Sequence, residues 1–345
     1  MIPRRHPLPR SASALAVLVL AVVTACGGEP PVEMGSQQEA GSLVVFSERG
    51  EEIVGALLAE WATDTGVEVE VRYLEPGEMA AAIETGPAQQ GTVFLSHDAV
   101  SLGELAATAR AIPLPAELTA GLDPHFVDAE RRWVGLTGRA RVIVYDPQRL
   151  SSEELPGGLA AFGDPAQRGR FGLAPLGHSF RVHLAAYRAL HGPEALDRLL
   201  SRLAANEPAL YPDEQALVEG VLDHDIDFAL ADHPALRRVR AERGGGAGAV
   251  RTLPAADSSG YFDVAGAAVL VESAAALALV RHLLSAPVQA RLAATTFEYP
   301  LLPTAALADE MVPLAELDLA RVDYRAVAAA LPATEEAIAD SPLLP

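Results

Sequence analysis

The sequence predicts an α/β fold in two lobes with mostly parallel sheets, and three observations carry that expectation. A strand, helix, strand unit opens the body of the chain. The same pattern then recurs, with each short apolar run stopping at polar residues. Half of the residues are apolar, and the roughly 300 that follow the N-terminal segments exceed what one hydrophobic core usually organises.

Leu43–Phe46 is a short apolar run ending at Ser47, a residue type that caps helices, and Glu48, Glu51 and Glu52 suit the first turns of a helix dipole. Ile53, Leu57, Leu58 and Trp61 repeat at helical spacing until Gly66, a C-terminal stop. Val67, Val69, Val71 and Tyr73 then alternate with polar residues as a second strand. Val93–Leu95 is a strand ending in Ser96, His97 and Asp98, and Val142–Tyr145 is one ending at Asp146. Phe171–Ala174 leads to Gly177, His178 and Ser179, where Ser179 is placed to cap a helix starting at Phe180. Ile226–Ala231 runs into Asp232, His233 and Pro234. Ligands of open α/β sheets sit outside the carboxyl ends of strands, and three of these ends carry a histidine.

The chain starts with Arg4, Arg5 and Arg10, followed by an apolar run from Ala12 to Ala25, and Val23-Thr24-Ala25-Cys26 has the form of a bacterial lipobox. Residues 1–25 therefore read as a signal peptide, too short to span a bilayer, and Cys26 as the lipidation site that anchors the exported protein to a membrane. Cys26 is the only cysteine, so no internal disulfide forms. Residues 26–41 read as a flexible tether, rich in Pro, Gly and polar residues. The formal charge is −20, and −23 once the three leader arginines are removed. That excludes nucleic acid and anionic headgroups as partners of the body. Gly244–Gly248 lacks the lysine of a phosphate loop, and no hydrolase or zinc-protease motif appears, so no enzyme is predicted.

Six blocks carry a resemblance: VVFSERGEE at 44–52, TGVEV at 65–69, VFLSHD at 93–98, GRARVIVYD at 138–146, AGAAVL at 265–270 and FEYP at 297–300. In this order they resemble the periplasmic ferric-ion-binding proteins of bacterial iron ABC transporters, which have the type II periplasmic-binding-protein fold. The resemblance implies two lobes around a ligand cleft, lobe 1 from residues 42–138 plus 262–300 and lobe 2 from 139–261 plus 301–345. It also implies delivery of cargo to an ABC permease, a monomer, and no resident cofactor beyond a transition-metal ion carried as cargo.

Members that bind ferric iron typically present two adjacent tyrosines after the strand matched by Asp225–Ala231, because phenolates are hard anionic donors. Here Pro234 and Ala235 stand at those positions. The resemblance places Ser47, Glu48, His97, Asp98, His178, Ser179, Asp232 and His233 around the cleft. If His97, His178 and His233 converge, they form a nitrogen-rich metal set suited to a divalent ion or a metal chelate. Against this, a loop histidine is more often hydrogen-bonded than ligating, Asp232 and Ser179 serve equally as helix caps, and Arg139 and Arg141 fit internal salt bridges. The alternative functions are binding of a small organic anion or phosphonate, and a sensor or interaction lipoprotein that has lost its site.

Overall fold

Strand β1 (Ser42–Ser47), helix α1 (Glu51–Thr65) and strand β2 (Glu68–Tyr73) form the first unit, and β1 pairs in parallel with β2. The structure is a computed structural model describing residues 41–344 except 76, 86–89, 246–247 and 309. The expected signal peptide, Cys26 and nearly all of the tether lie outside the described residues. Residues from 41 onward pack as one compact unit.

Val54, Leu57, Leu58 and Trp61 form the buried stripe of α1, and Gly66 ends it in the left-handed region at φ 72°. The expected cap does not form. Gly50 holds the cap position, and Ser47 instead donates to the Arg49 carbonyl and accepts from its amide, a local turn that competes with capping.

Next come α2 (Met79–Thr85), β3 (Gly91–Leu95), α3 (Ala99–Ala107) and α4 (Ala116–Thr119). Strand β4 (Val134–Tyr145) is followed by β5 (Phe171–Leu173), α5 (His178–His191), α6 (Pro193–Ala205) and β6 (Ala209–Leu210). Then α7 (Glu214–Leu222), β7 (Phe228–Asp232), α8 (His233–Arg243) and β8 (Ala249–Thr252) lead to β9 (Phe262–Val271). The chain closes with α9 (Ala274–Leu283), α10 (Ala286–Thr296), β10 (Tyr299–Pro300) and α11 (Tyr324–Ala339).

Strand order is β2-β1-β3-β9-β4-β7-β5-β6, with β8 and β10 also paired to β4. The flanks are parallel, β1 with β2 and β3, β5 with β6 and β7. The centre is antiparallel, because β4 and β9 are long crossing strands. Residues 134–140 of β4 pair with β9, while Arg141–Tyr145 pair with β7. One strand thus belongs to both halves of the sheet. Close approach of β4 and β9 needs Gly266: a Cβ there would lie 2.4 Å from the Val134 carbonyl oxygen. The core lies on both faces, one part built by α1, α9 and α10 and another by Phe162, Phe171, Phe228 and the leucines of α6.

Candidate functional site

The ends of β1, β3, β5 and β7 meet where β4 crosses from one half of the sheet to the other. Register explains the first contacts. Arg139 lies opposite Asp263 on β9, and Arg141 opposite Asp232 on β7, so two oppositely charged pairs face each other across neighbouring strands. The Arg139 guanidinium donates to Asp263 and, at 3.2 Å, to Glu298, and lies 3.6 Å from Asp232. Arg141 donates to Glu214 and, at 2.9 Å, to Asp232. Arg49 joins the same set, donating to Glu298 at 2.8 Å and to Thr137 at 3.1 Å. All three arginines are buried, a placement that is tolerable only with charge partners.

The strand-end residues attach to this network one by one. Glu48 is buried and accepts from the His97 amide at 3.2 Å and from the Ser101 hydroxyl at 2.9 Å. Burial, and then the neighbouring Asp98, push its carboxyl up to about 7. His97 accepts at Nε2 from Arg139 at 3.4 Å, and the guanidinium first and burial second push the imidazole down to about 3, so it is neutral. Asp98 caps α3, its Oδ1 accepting from the amides of Val100 at 2.9 Å and Ser101 at 3.1 Å. Its Oδ2 accepts from Nε2 of His178, the first residue of α5. Burial raises the Asp98 carboxyl, but hydrogen bonding and charge from His178 outweigh it and hold it at about 2.

Ser179 does not cap α5, which begins one residue earlier with Gly177 at the cap position. Its hydroxyl is a hydrogen-bond partner of Asp232. Asp232 occupies the cap position of α8 without capping it through its side chain, because both carboxylate oxygens face arginine. Burial raises its pKa, yet Arg141 and Arg139 outweigh it and hold the carboxyl at about 2.

His233 turns away from this set. Its Nδ1 accepts from the Ala140 amide at 3.1 Å, its Nε2 donates to the Phe297 carbonyl at 2.9 Å, and its ring packs on Tyr299 at a centroid distance of 4.6 Å. Both ring nitrogens are engaged with backbone, and burial pushes the imidazole down to about 4. The three imidazoles therefore do not form one coordination set in this structure, and among the described residues no group of three His, Cys, Asp or Glu side chains is arranged to hold a metal ion. Pro234 and Ala235 are buried in the first turn of α8. The nearby phenols supply no substitute: Tyr261 and Tyr299 are buried, and burial pushes Tyr261 far above its ordinary value and Tyr299 up to about 12.

Arg49, Thr137, Glu214, Asp263 and Glu298 were not singled out as site residues by sequence reasoning. For Asp263 in β9 the signal is a charge inside an otherwise apolar run, whereas Arg49, Thr137 and Glu214 carry none of that kind. A cavity of about 750 Å³ is walled by Phe126, Leu301, Leu317 and Leu319 together with Asp123, Asp318 and Arg321, and none of the strand-end residues lines it.

No family model matches the chain. It is 28% identical over 295 residues to the major ferric iron-binding protein of Neisseria meningitidis serogroup A, covering 83% of this chain and 88% of that protein. It is 25% identical over 288 residues to the Fe(3+)-binding periplasmic protein of Serratia marcescens, covering 81% and 85%. The crystal structure of iron-bound HitA from Pseudomonas aeruginosa shares the fold, with a TM-score of 0.75 at 24% identity over 86% of this chain and 99% of that one.

Proposed function

We propose that this chain, which belongs by sequence and fold to the periplasmic ferric-ion-binding protein family, is the solute-binding component of an ABC importer and takes its metal as a chelate. The observation that carries the reading is the meeting of four strand ends at one junction: Glu48 with His97, Asp98 with His178, and Ser179 with Asp232. The relatives named for ferric iron binding supply the cargo class.

A bare ferric ion is a poor match for this junction. The junction lacks the adjacent phenolates, and the carboxylates of Asp232, Asp263 and Glu298 already face guanidinium groups. A metal that brings its own oxygen ligands needs only hydrogen-bond donors and imidazole from the protein, and His178, about a third exposed, with Ser179 and His97 beside it, offers those. In this reading lobe 1 (42–138 plus 262–300) and lobe 2 (139–261 plus 301–345) close around the chelate. Lipidated Cys26 holds the exported monomer at the membrane beside its permease.

A second reading, a small organic anion or phosphonate, is favoured by the start of α5. Gly177 at the cap position offers no side chain to the first-turn N–H groups, which leaves them suited to an anion. The test is a thermal-shift series on chelator-dialysed protein with ferric citrate, ferric, zinc and manganese salts, citrate, phosphate and methylphosphonate. A rise in Tm with ferric citrate alone is the expected result, since a ligand that prefers the native state raises Tm. A rise with the metal-free anions alone favours the second reading. No rise with any of them overturns both and leaves a sensor or interaction protein.

A further inference from the structure

Helix α11 packs along both α3 and α5, while α3 and α5 meet each other chiefly through it. These two helices carry the Asp98–His178 contact at their N-terminal ends. The first half of α11 is fixed to the α3 side. Tyr324 donates to the Phe262 carbonyl at 2.8 Å, Arg325 pairs with Asp128 at 2.8 Å, and the Tyr324 carbonyl approaches α3 so closely that a Cβ on Gly103 would lie 2.4 Å from its oxygen. The second half is fixed to the α5 side, where Arg181 pairs with Glu335 at 2.5 Å and Ile338 is buried among residues of α5 and α6. Between the two halves stands Pro332. It has no N–H for the buried Ala328 carbonyl four residues back, and its ring crowds that carbonyl, so the helix is weakest at this point.

We propose that α11 is a strap joining the α3 and α5 sides of the molecule, and that bending at Pro332 sets how far Asp98 and His178 can separate. The inference deepens the solute-binding reading by naming what regulates opening of that site. Its readout uses no ligand, so a failed ligand screen leaves it intact.

The experiment is hydrogen exchange on the full chain, read at the amides of Val100 and Ser101, which Asp98 holds, and at the Arg181 amide of α5, which donates to the Gly177 carbonyl. Pro332→Ala restores a helical donor and stiffens α11. Exchange at both helix starts is expected to slow by about fivefold. His178→Ala, which removes the contact itself, is expected to speed exchange at both starts, showing that these amides report the opening. Slowing confined to α11 in Pro332→Ala, or no slowing at all, overturns the strap.

Discussion

The imidazole of His178 donates to the carboxylate of Asp98, tying the first residue of α5 to the cap of α3 across 80 residues of sequence. Asp98 is held below its ordinary value, so its contribution to stability is present above about pH 4 and lost as pH falls toward about 2. His178 has the opposite sign. Burial lowers its pKa, but hydrogen bonding and charge from Asp98 outweigh burial and raise it. Its contribution is therefore present below about pH 6.5 and lost as pH rises through the raised value. The stability lost in His178→Ala is expected to be about 1 kcal/mol, largest between about pH 4 and 6.5, and smaller than for a fully buried pair because the ring is partly exposed. Urea denaturation of both proteins from pH 3 to 9 measures it, and a difference that does not vary with pH contradicts the ion pair.

Acid should destabilise the protein from about pH 6.5 downward. His97 and His183 are pushed down to about 3 and His233 to about 4, so each is neutral when folded and binds a proton when unfolded. Each contributes a slope of about 1.4 kcal/mol per pH unit between about 6.5 and its folded value. His125, pushed down to about 4, acts in the same sense, while Glu48, raised to about 7, works in the opposite direction between about 4.5 and 7, as do Glu104, Glu214 and Asp263, whose carboxyls burial raises. Tm measured from pH 7.5 to 4.5 should fall, and His233→Asn should flatten the fall.

Removing the Arg139 guanidinium leaves Asp263 and Glu298 buried without it, although Arg49 still pairs with Glu298. Arg139→Met should cost about 3–5 kcal/mol of stability, the penalty of an uncompensated buried charge. The additional change Asp263→Asn should recover part of that loss, because it removes the carboxylate that the arginine neutralised. Denaturant titration of the single and double variants decides; a double variant less stable than the single contradicts the pairing.

His233→Ala should cost about 2–3 kcal/mol, because the Ala140 amide and the Phe297 carbonyl both lose a buried partner. The ligand-induced rise in Tm should survive the change, whereas His178→Ala should reduce it. Equal loss of ligand response in the two variants would restore His233 to the ligand site.

Much of the fold was legible because strands and helices here are local. The α1 stripe and the Gly66 stop follow from spacing within fifteen residues or so. Strand β4 was read only from Val142, because Gly135, Thr137, Gly138, Arg139 and Arg141 interrupt its apolar run. Those residues are tolerated in a strand because β9 and β7 supply close backbone contact and acids at matching register. The strand ends were found by their polar residues, but not the direction of each side chain. His233 looks the same in sequence as His97 and His178, and only the position of Ala140 and Phe297, far away in the chain, decides that its ring turns inward. Asp98 as a cap is not evident in sequence because an acid at a strand end serves a ligand or a helix start alike, and only the positions of the Val100 and Ser101 amides decide between them.

Among the described residues, strand β2 ends the sheet and leaves one side of its backbone without a strand partner. Its exposed positions are Glu68, Glu70 and Tyr73, with Arg72 half-buried between them. A second copy adding there as a strand would set its own acids against these, within an already acidic molecule. Crowding many copies together should thus raise repulsion at this margin rather than seed edge-to-edge aggregates.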